Sequence, residues 1–185
     1  MKLSVLAAIL VVVLSACGGG PTVTVEDGDS QATWDVDCSE LETTEGADFV
    51  EVSLPCLVGE GSYAIGPLGD RPMVVSLWAS WCGPCVAEAP EVERFHQLAG
   101  DQVAVIGVNT QDVRERALYF AEEFDWTFPS LFDDRGDVMR GQGLMGLPAI
   151  IFIDADGTTK ATLSAGDVTT EDLVAAAEEH FGVTI

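Results

Sequence analysis

Cys82 and Cys85 stand where an apolar run gives way to a helical pattern, and this junction restricts the chain more than any other feature. Met73 to Ala79 has the length of a strand and enough apolar character to be buried on both faces. Pro84 lies just inside the helix that follows, where a missing N–H costs nothing. The helical spacing runs to about Ala99 and stops at Gly100. A second apolar run, Val103 to Asn109, completes a β-α-β unit, which implies parallel strands and a right-handed crossover. A sulfur at such a helix mouth meets unpaired N–H groups and partial positive charge, so Cys82 is the candidate nucleophile. Cys85, one turn inside, is placed to resolve a mixed disulfide. A CxxC pair can also be half of a zinc knuckle, but His96 and His180 are not arranged as the second ligand pair, and no metal is expected.

The remaining elements follow the same alternation. Phe49 to Leu57 alternates apolar and polar residues, the period of an exposed edge strand, and meets Pro55. A turn-rich stretch of Gly and Pro separates it from Met73. Beyond the β-α-β unit, Val113 to Phe124 has helical spacing, Leu131-Phe132 is a short strand or connector, and Asp137 to Gln142 suits one helical turn. Ala149 to Ile153 reads as a strand, Asp154 to Gly157 as a hairpin turn and Thr159 to Ser164 as the antiparallel partner. Thr169 and the acids after it start a last helix that Gly182 ends. For Trp78 and Trp126 a core role is expected, and for Trp81 one that shields the cysteines.

The N-terminus has a different character. Leu3 to Leu14 is an apolar run behind a single lysine, too short to span a bilayer but right for the core of a signal peptide. It ends in Leu14-Ser15-Ala16-Cys17, which resembles the lipobox of bacterial lipoproteins, in which the cysteine is lipidated and becomes the mature N-terminus. The alternative is an ordinary small-residue cleavage site with a chance cysteine. The expected organisation is a signal peptide at 1–16, an acidic tether at 17–47 anchored by Trp34 and Cys38, and one α/β domain at 48–185. Export leaves Cys38 and Cys56 as an even pair in an oxidising compartment, so a structural disulfide is expected between them, the alternative being two buried free thiols. Eight Lys and Arg against 31 Asp and Glu give a net charge of -23, which excludes nucleic acid and anionic lipid as natural partners.

The segment Val74-Val75-Ser76-Leu77-Trp78-Ala79-Ser80-Trp81-Cys82-Gly83-Pro84-Cys85 resembles the active-site stretch of thioredoxin-fold proteins. From about Phe49 to Gly182 the chain resembles their exported TlpA-like branch, the ResA/DsbE type of thiol-disulfide oxidoreductase. Cys85-Val86-Ala87-Glu88-Ala89-Pro90 is similar to the helix signature of that branch, and Gln142 to Asp154 is similar to its approach to a cis-proline and central strand. The resemblance implies a thioredoxin fold, a central mixed β-sheet flanked by helices, with an N-terminal β-extension. It implies that Glu88 manages protons beneath the disulfide, although a solvated helix-face carboxylate is the ordinary fate of a glutamate. It further implies that Leu147-Pro148 is cis, that Pro148 faces the cysteines, and that Trp81, Gly83, Pro84, Leu147 and Pro148 receive the substrate. Two positions depart from related patterns: Ser76 stands where cytosolic thioredoxins carry a buried Asp, and Ala149 where the branch often has Thr.

The function so implied is extracytoplasmic thiol-disulfide exchange on exported cysteine-containing proteins, as a reductant, for example in cytochrome c maturation. The electrons would come from a membrane redox partner. The expected protein is a monomer, anchored to the cell membrane through lipid on Cys17, with no cofactor beyond the Cys82–Cys85 disulfide. Alternatives are an oxidative, disulfide-forming role, a thioredoxin-fold peroxidase, and a copper or haem chaperone that uses the thiols as ligands.

Overall fold

Alternation along the central strands decides the layering. The computed structural model describes residues 32–38, 41, 52–65, 70–164 and 166–185. β3 (Met73–Trp78) is buried at every position. Its Val74 and Trp78 enter one core, with Val92 and Phe95 of helix α1 (Gly83–Ala99). Met73, Val75 and Leu77 enter the other, with Cys38, Leu54, Cys56 and Ile65. A run apolar on both faces is therefore what a strand covered on both sides requires. Each large side chain so buried contributes about 1.5–3 kcal/mol.

Around β3 the sheet has the order β5-β4-β3-β6-β7. β4 (Ala104–Thr110) and β5 (Ser130–Asp133) run parallel to it, with Val75 opposite Ile106. β6 (Ala149–Ile153) runs antiparallel, with Val75 opposite Ile151, and β7 (Thr159–Leu163) forms the far edge. Helices α2 (Arg114–Glu123) and α4 (Thr170–Phe181) supply Phe120 and Leu173 to the same core as α1, while α3 (Asp137–Gly141) places Val138 in the other. This mixed sheet flanked by helices is a thioredoxin fold.

The N-terminal β-extension is a separate two-stranded antiparallel sheet of β1 (Ser53–Pro55) and β2 (Ser62–Ala64). The alternation expected over Phe49 to Leu57 appears as strand only at Ser53–Pro55, where Leu54 alone turns inward; residues 49–51 lie outside the described set. Cys56 continues it as an isolated bridge to Leu131, joining the extension to the edge of the main sheet. Arg114 reinforces the joint by donating to the carbonyls of Cys56 and Leu57, with its guanidinium 4.3 Å from the Phe132 ring centre. Trp34 is buried in the domain core, and its indole N–H donates to the Trp126 carbonyl at 2.7 Å.

Candidate active site

The cysteines sit where β3 ends and α1 begins. Cys82 is the N-cap of α1, in extended conformation, and its sulfur accepts the Cys85 backbone N–H at 3.2 Å. That bond uses one of the amides that a helix start leaves unpaired, and the helix field adds positive potential at the same sulfur. Pro84 occupies the first turn, and Cys82 and Cys85 are joined as a disulfide with Cα atoms 5.2 Å apart. Both are 3% exposed, while Gly83 and Pro84 beside them are exposed and Trp81 stands out at 58%. The Trp81 indole N–H is held by the Gln111 carbonyl at 2.9 Å.

Beneath the disulfide lies a small cavity of about 10 Å³, lined among others by Ser76, Cys85, Glu88, Trp126 and Pro148. Such a space is close to the minimum for one water molecule. The structure thus brings Cys85, Glu88 and Pro148 around one space, although 63 positions of sequence separate Cys85 from Pro148. The Leu147–Pro148 peptide bond is cis, with Pro148 buried and Leu147 half-buried.

Glu88 is not a solvated helix-face carboxylate. It is 3% exposed, and one carboxyl oxygen has no hydrogen-bond partner. Burial raises its pKa from 4.5 to about 7, opposed by a hydrogen bond from the Val168 backbone N–H and assisted by the nearby charge of Asp167. A carboxyl poised there can take or give a proton near neutrality, which a group titrating at its ordinary value does poorly.

Two further features escaped sequence reasoning. The turn between β7 and α4 reaches back to the site: Val168 bonds Glu88, and Gly166 packs against Pro84. Asp112, in the loop after β4, bonds both the backbone and the hydroxyl of Ser80, two residues before Cys82. No local pattern in the sequence marks either contact.

Cys38 and Cys56 are bonded to each other, each 1% exposed, with Cα atoms 5.9 Å apart. Cys17 and the leader lie outside the described residues, and so does most of the stretch expected to be a tether.

Residues 45–177 match the Redoxin family. The chain belongs to that family. It is 28% identical over 137 residues to the thioredoxin-like protein YneN of Bacillus subtilis, covering 72% of this chain and 79% of that one. It is 31% identical over 104 residues to the thiol-disulfide oxidoreductase ResA of Geobacillus thermodenitrificans, covering 56% of this chain and 59% of the relative. Among solved structures, a DsbF homologue from Corynebacterium diphtheriae superposes with a TM-score of 0.63 at 25% identity, covering 70% of this chain and 83% of that one. This Redoxin is an enzyme of the thiol-disulfide oxidoreductase class, the activity that its relatives' names carry.

Proposed function

We propose that this Redoxin is an extracytoplasmic reductant of disulfides in exported proteins, apocytochrome c before haem attachment among them. The observation that carries the proposal is the Cys82–Cys85 pair at the mouth of α1, with Cys82 as the N-cap and Cys85 one turn inside. In the reduced enzyme the Cys82 thiolate attacks a partner disulfide, forming a Cys82–partner bond while the partner's second sulfur leaves as a thiolate. Cys85 then attacks the Cys82 sulfur, closing the Cys82–Cys85 disulfide and releasing the partner as a dithiol. Two electrons have passed to the partner. Glu88, on the same small cavity as Cys85, accepts the Cys85 proton as that thiol becomes a nucleophile. Trp81, Gly83, Pro84, Leu147 and Pro148 form the surface that receives the partner's chain. A membrane redox partner returns two electrons to the disulfide.

The leader and the lipobox-like Leu14 to Cys17 support a location outside the cytoplasm with a lipid anchor on Cys17. The buried Cys38–Cys56 disulfide supports the same compartment, since such bonds persist where the medium is oxidising.

The deciding experiment is to trap partners in cells with Cys85→Ser. Without the resolving thiol, mixed disulfides should accumulate on Cys82, and their identities give both substrate and direction. A Cys82→Ser variant that traps the same partners equally well would contradict the assignment of the nucleophile.

A further inference from the structure

The loop that delivers Cys82 to its helix is docked on a neighbouring loop by one carboxylate. Asp112 lies between β4, which ends at Thr110, and α2, which begins at Arg114. Its Oδ2 accepts the Ser80 backbone N–H at 2.6 Å and the Asn109 side-chain amide at 2.9 Å. Its Oδ1 accepts the Ser80 hydroxyl at 2.8 Å and the Val113 backbone N–H at 2.7 Å. Both oxygens are therefore engaged by two partners each, so the carboxylate bridges Ser80 to its own loop. One residue after Ser80 and one before Asp112, the Trp81 indole donates to the Gln111 carbonyl at 2.9 Å. Two consecutive residues of the cysteine loop are thus held by two consecutive residues of the other.

The bracing loop is itself fixed. Gln111 has a φ of +50°, a conformation that L side chains rarely adopt, and its N–H donates to the Asp133 carbonyl at 2.9 Å. Gly136 lies against its side chain: a Cβ on that glycine would stand 3.0 Å from Gln111 Cδ and Cγ. The clamp on Ser80 and Trp81 therefore leads back through Gln111 to the β5–α3 turn.

This arrangement bears on the sulfur chemistry, because the helix field and the first-turn amides act on Cys82 only over about one turn. Ser80 and Trp81 are the segment that sets where Cys82 enters that field. Resting on the thiol–disulfide function proposed above, we propose that Asp112 is a positioning residue for Cys82: through Ser80 it holds the nucleophile at the helix mouth when the Cys82–Cys85 bond is open. It acts through the loop, not on the sulfurs.

The test is the pH profile of Cys82 alkylation by iodoacetamide in the reduced enzyme, for the parent, Asp112→Asn and Ser80→Ala, with unfolding by urea measured alongside. Asn presents an NH₂ group to a position where Asp112 meets two donors, so the clamp opens. The expected result for Asp112→Asn is a midpoint moved to higher pH and a rate near neutrality lower by about threefold or more, the scale of a helix-terminus effect on a charge. Ser80→Ala, which loses only the hydroxyl bond, should move the profile the same way by less. The sign separates positioning from plain electrostatics, because removing a nearby negative charge favours a thiolate and moves the midpoint down. A folded Asp112→Asn protein with an unchanged or lowered midpoint overturns the inference. If Asp112→Asn does not fold, Ser80→Ala decides: a profile identical to the parent overturns the inference, and an upward shift supports it. Failure of the underlying function looks different, since the parent's own Cys82–Cys85 pair would then not interconvert with its dithiol in a glutathione buffer.

Discussion

Gly166 lies against Pro84 so closely that a Cβ on the glycine would stand 2.7 Å from the proline Cβ. Pro84 sits between the two cysteines, and two residues after Gly166 the Val168 N–H bonds Glu88. The β7–α4 turn is therefore seated on the active-site helix by a contact that only glycine permits. Gly166→Val is expected to lift this turn, at a cost of about 1 kcal/mol or more, and to loosen the Val168 bond to Glu88. Urea unfolding of the oxidised protein checks the first effect and the pH dependence of its stability the second. A variant with both unchanged contradicts the seating.

Glu88 gives that pH dependence a definite sign. Burial lifts its carboxyl from 4.5 to about 7, so in the unfolded chain the group releases its proton near the lower value and in the folded protein near the higher. Below 4.5 both states hold the proton and the contribution to stability is complete. Between the two values the folded state binds more protons, so stability falls as pH rises and the contribution is lost by about 7. Glu88→Gln, which cannot ionise, should flatten this part of the curve for the oxidised protein. In single-turnover reduction of a disulfide substrate it should also slow the resolution step at neutral pH, where the carboxylate would have accepted the Cys85 proton. An unaltered slope and an unaltered resolution rate would remove Glu88 from proton handling.

The elements that announced themselves were those whose local chemistry agreed with their tertiary place. β3 was legible because a strand buried on both faces must be predominantly apolar, and α1 because Pro84 and Gly100 punctuate its ends. Glu88 and Pro148 were legible only through family resemblance, since their meeting at one cavity depends on how β3, α1 and β6 pack. Ser62–Ala64 gave no strand signal, because three residues in a Gly-rich stretch carry no period. Asp112 and Gly166 gave little or none, because a carboxylate clamping a distant loop and a glycine touching a distant proline leave the local pattern unchanged.

The Cys38–Cys56 disulfide should matter for stability, not for turnover. Its sulfurs are buried in the core on the far side of the sheet from α1, joined across a sequence separation of 18 residues. A cross-link closing a loop of this size restrains the unfolded chain by about 3 kcal/mol. The double variant Cys38→Ala/Cys56→Ala is expected to lose about 2–5 kcal/mol, read by urea unfolding, while the rate of disulfide reduction per folded molecule stays within about twofold. A large fall in that rate with stability preserved would mean that the second pair takes part in electron transfer.

Trp34 tests whether the domain begins before the point where the sequence pattern becomes regular. Its indole is buried, donates to the Trp126 carbonyl, and is preceded by Thr33, whose backbone N–H and hydroxyl donate to Glu122 at 3.0 and 2.6 Å. Trp126 in turn packs edge-on against Trp78 at 4.7 Å and donates to the Ala89 carbonyl of α1 at 3.0 Å. A residue from the acidic N-terminal stretch thus supports the aromatic cluster beneath the active-site helix. Trp34→Phe keeps most of the packing and leaves a buried carbonyl without its donor, a loss of about 1–3 kcal/mol. Trp34→Ala also opens a cavity and should cost about 3–5 kcal/mol. The ordering of the two losses in urea unfolding is the readout: equal and small effects would mean that the segment rests on the surface, whereas a graded loss makes residues 32–38 part of the folded unit that holds α1 in place.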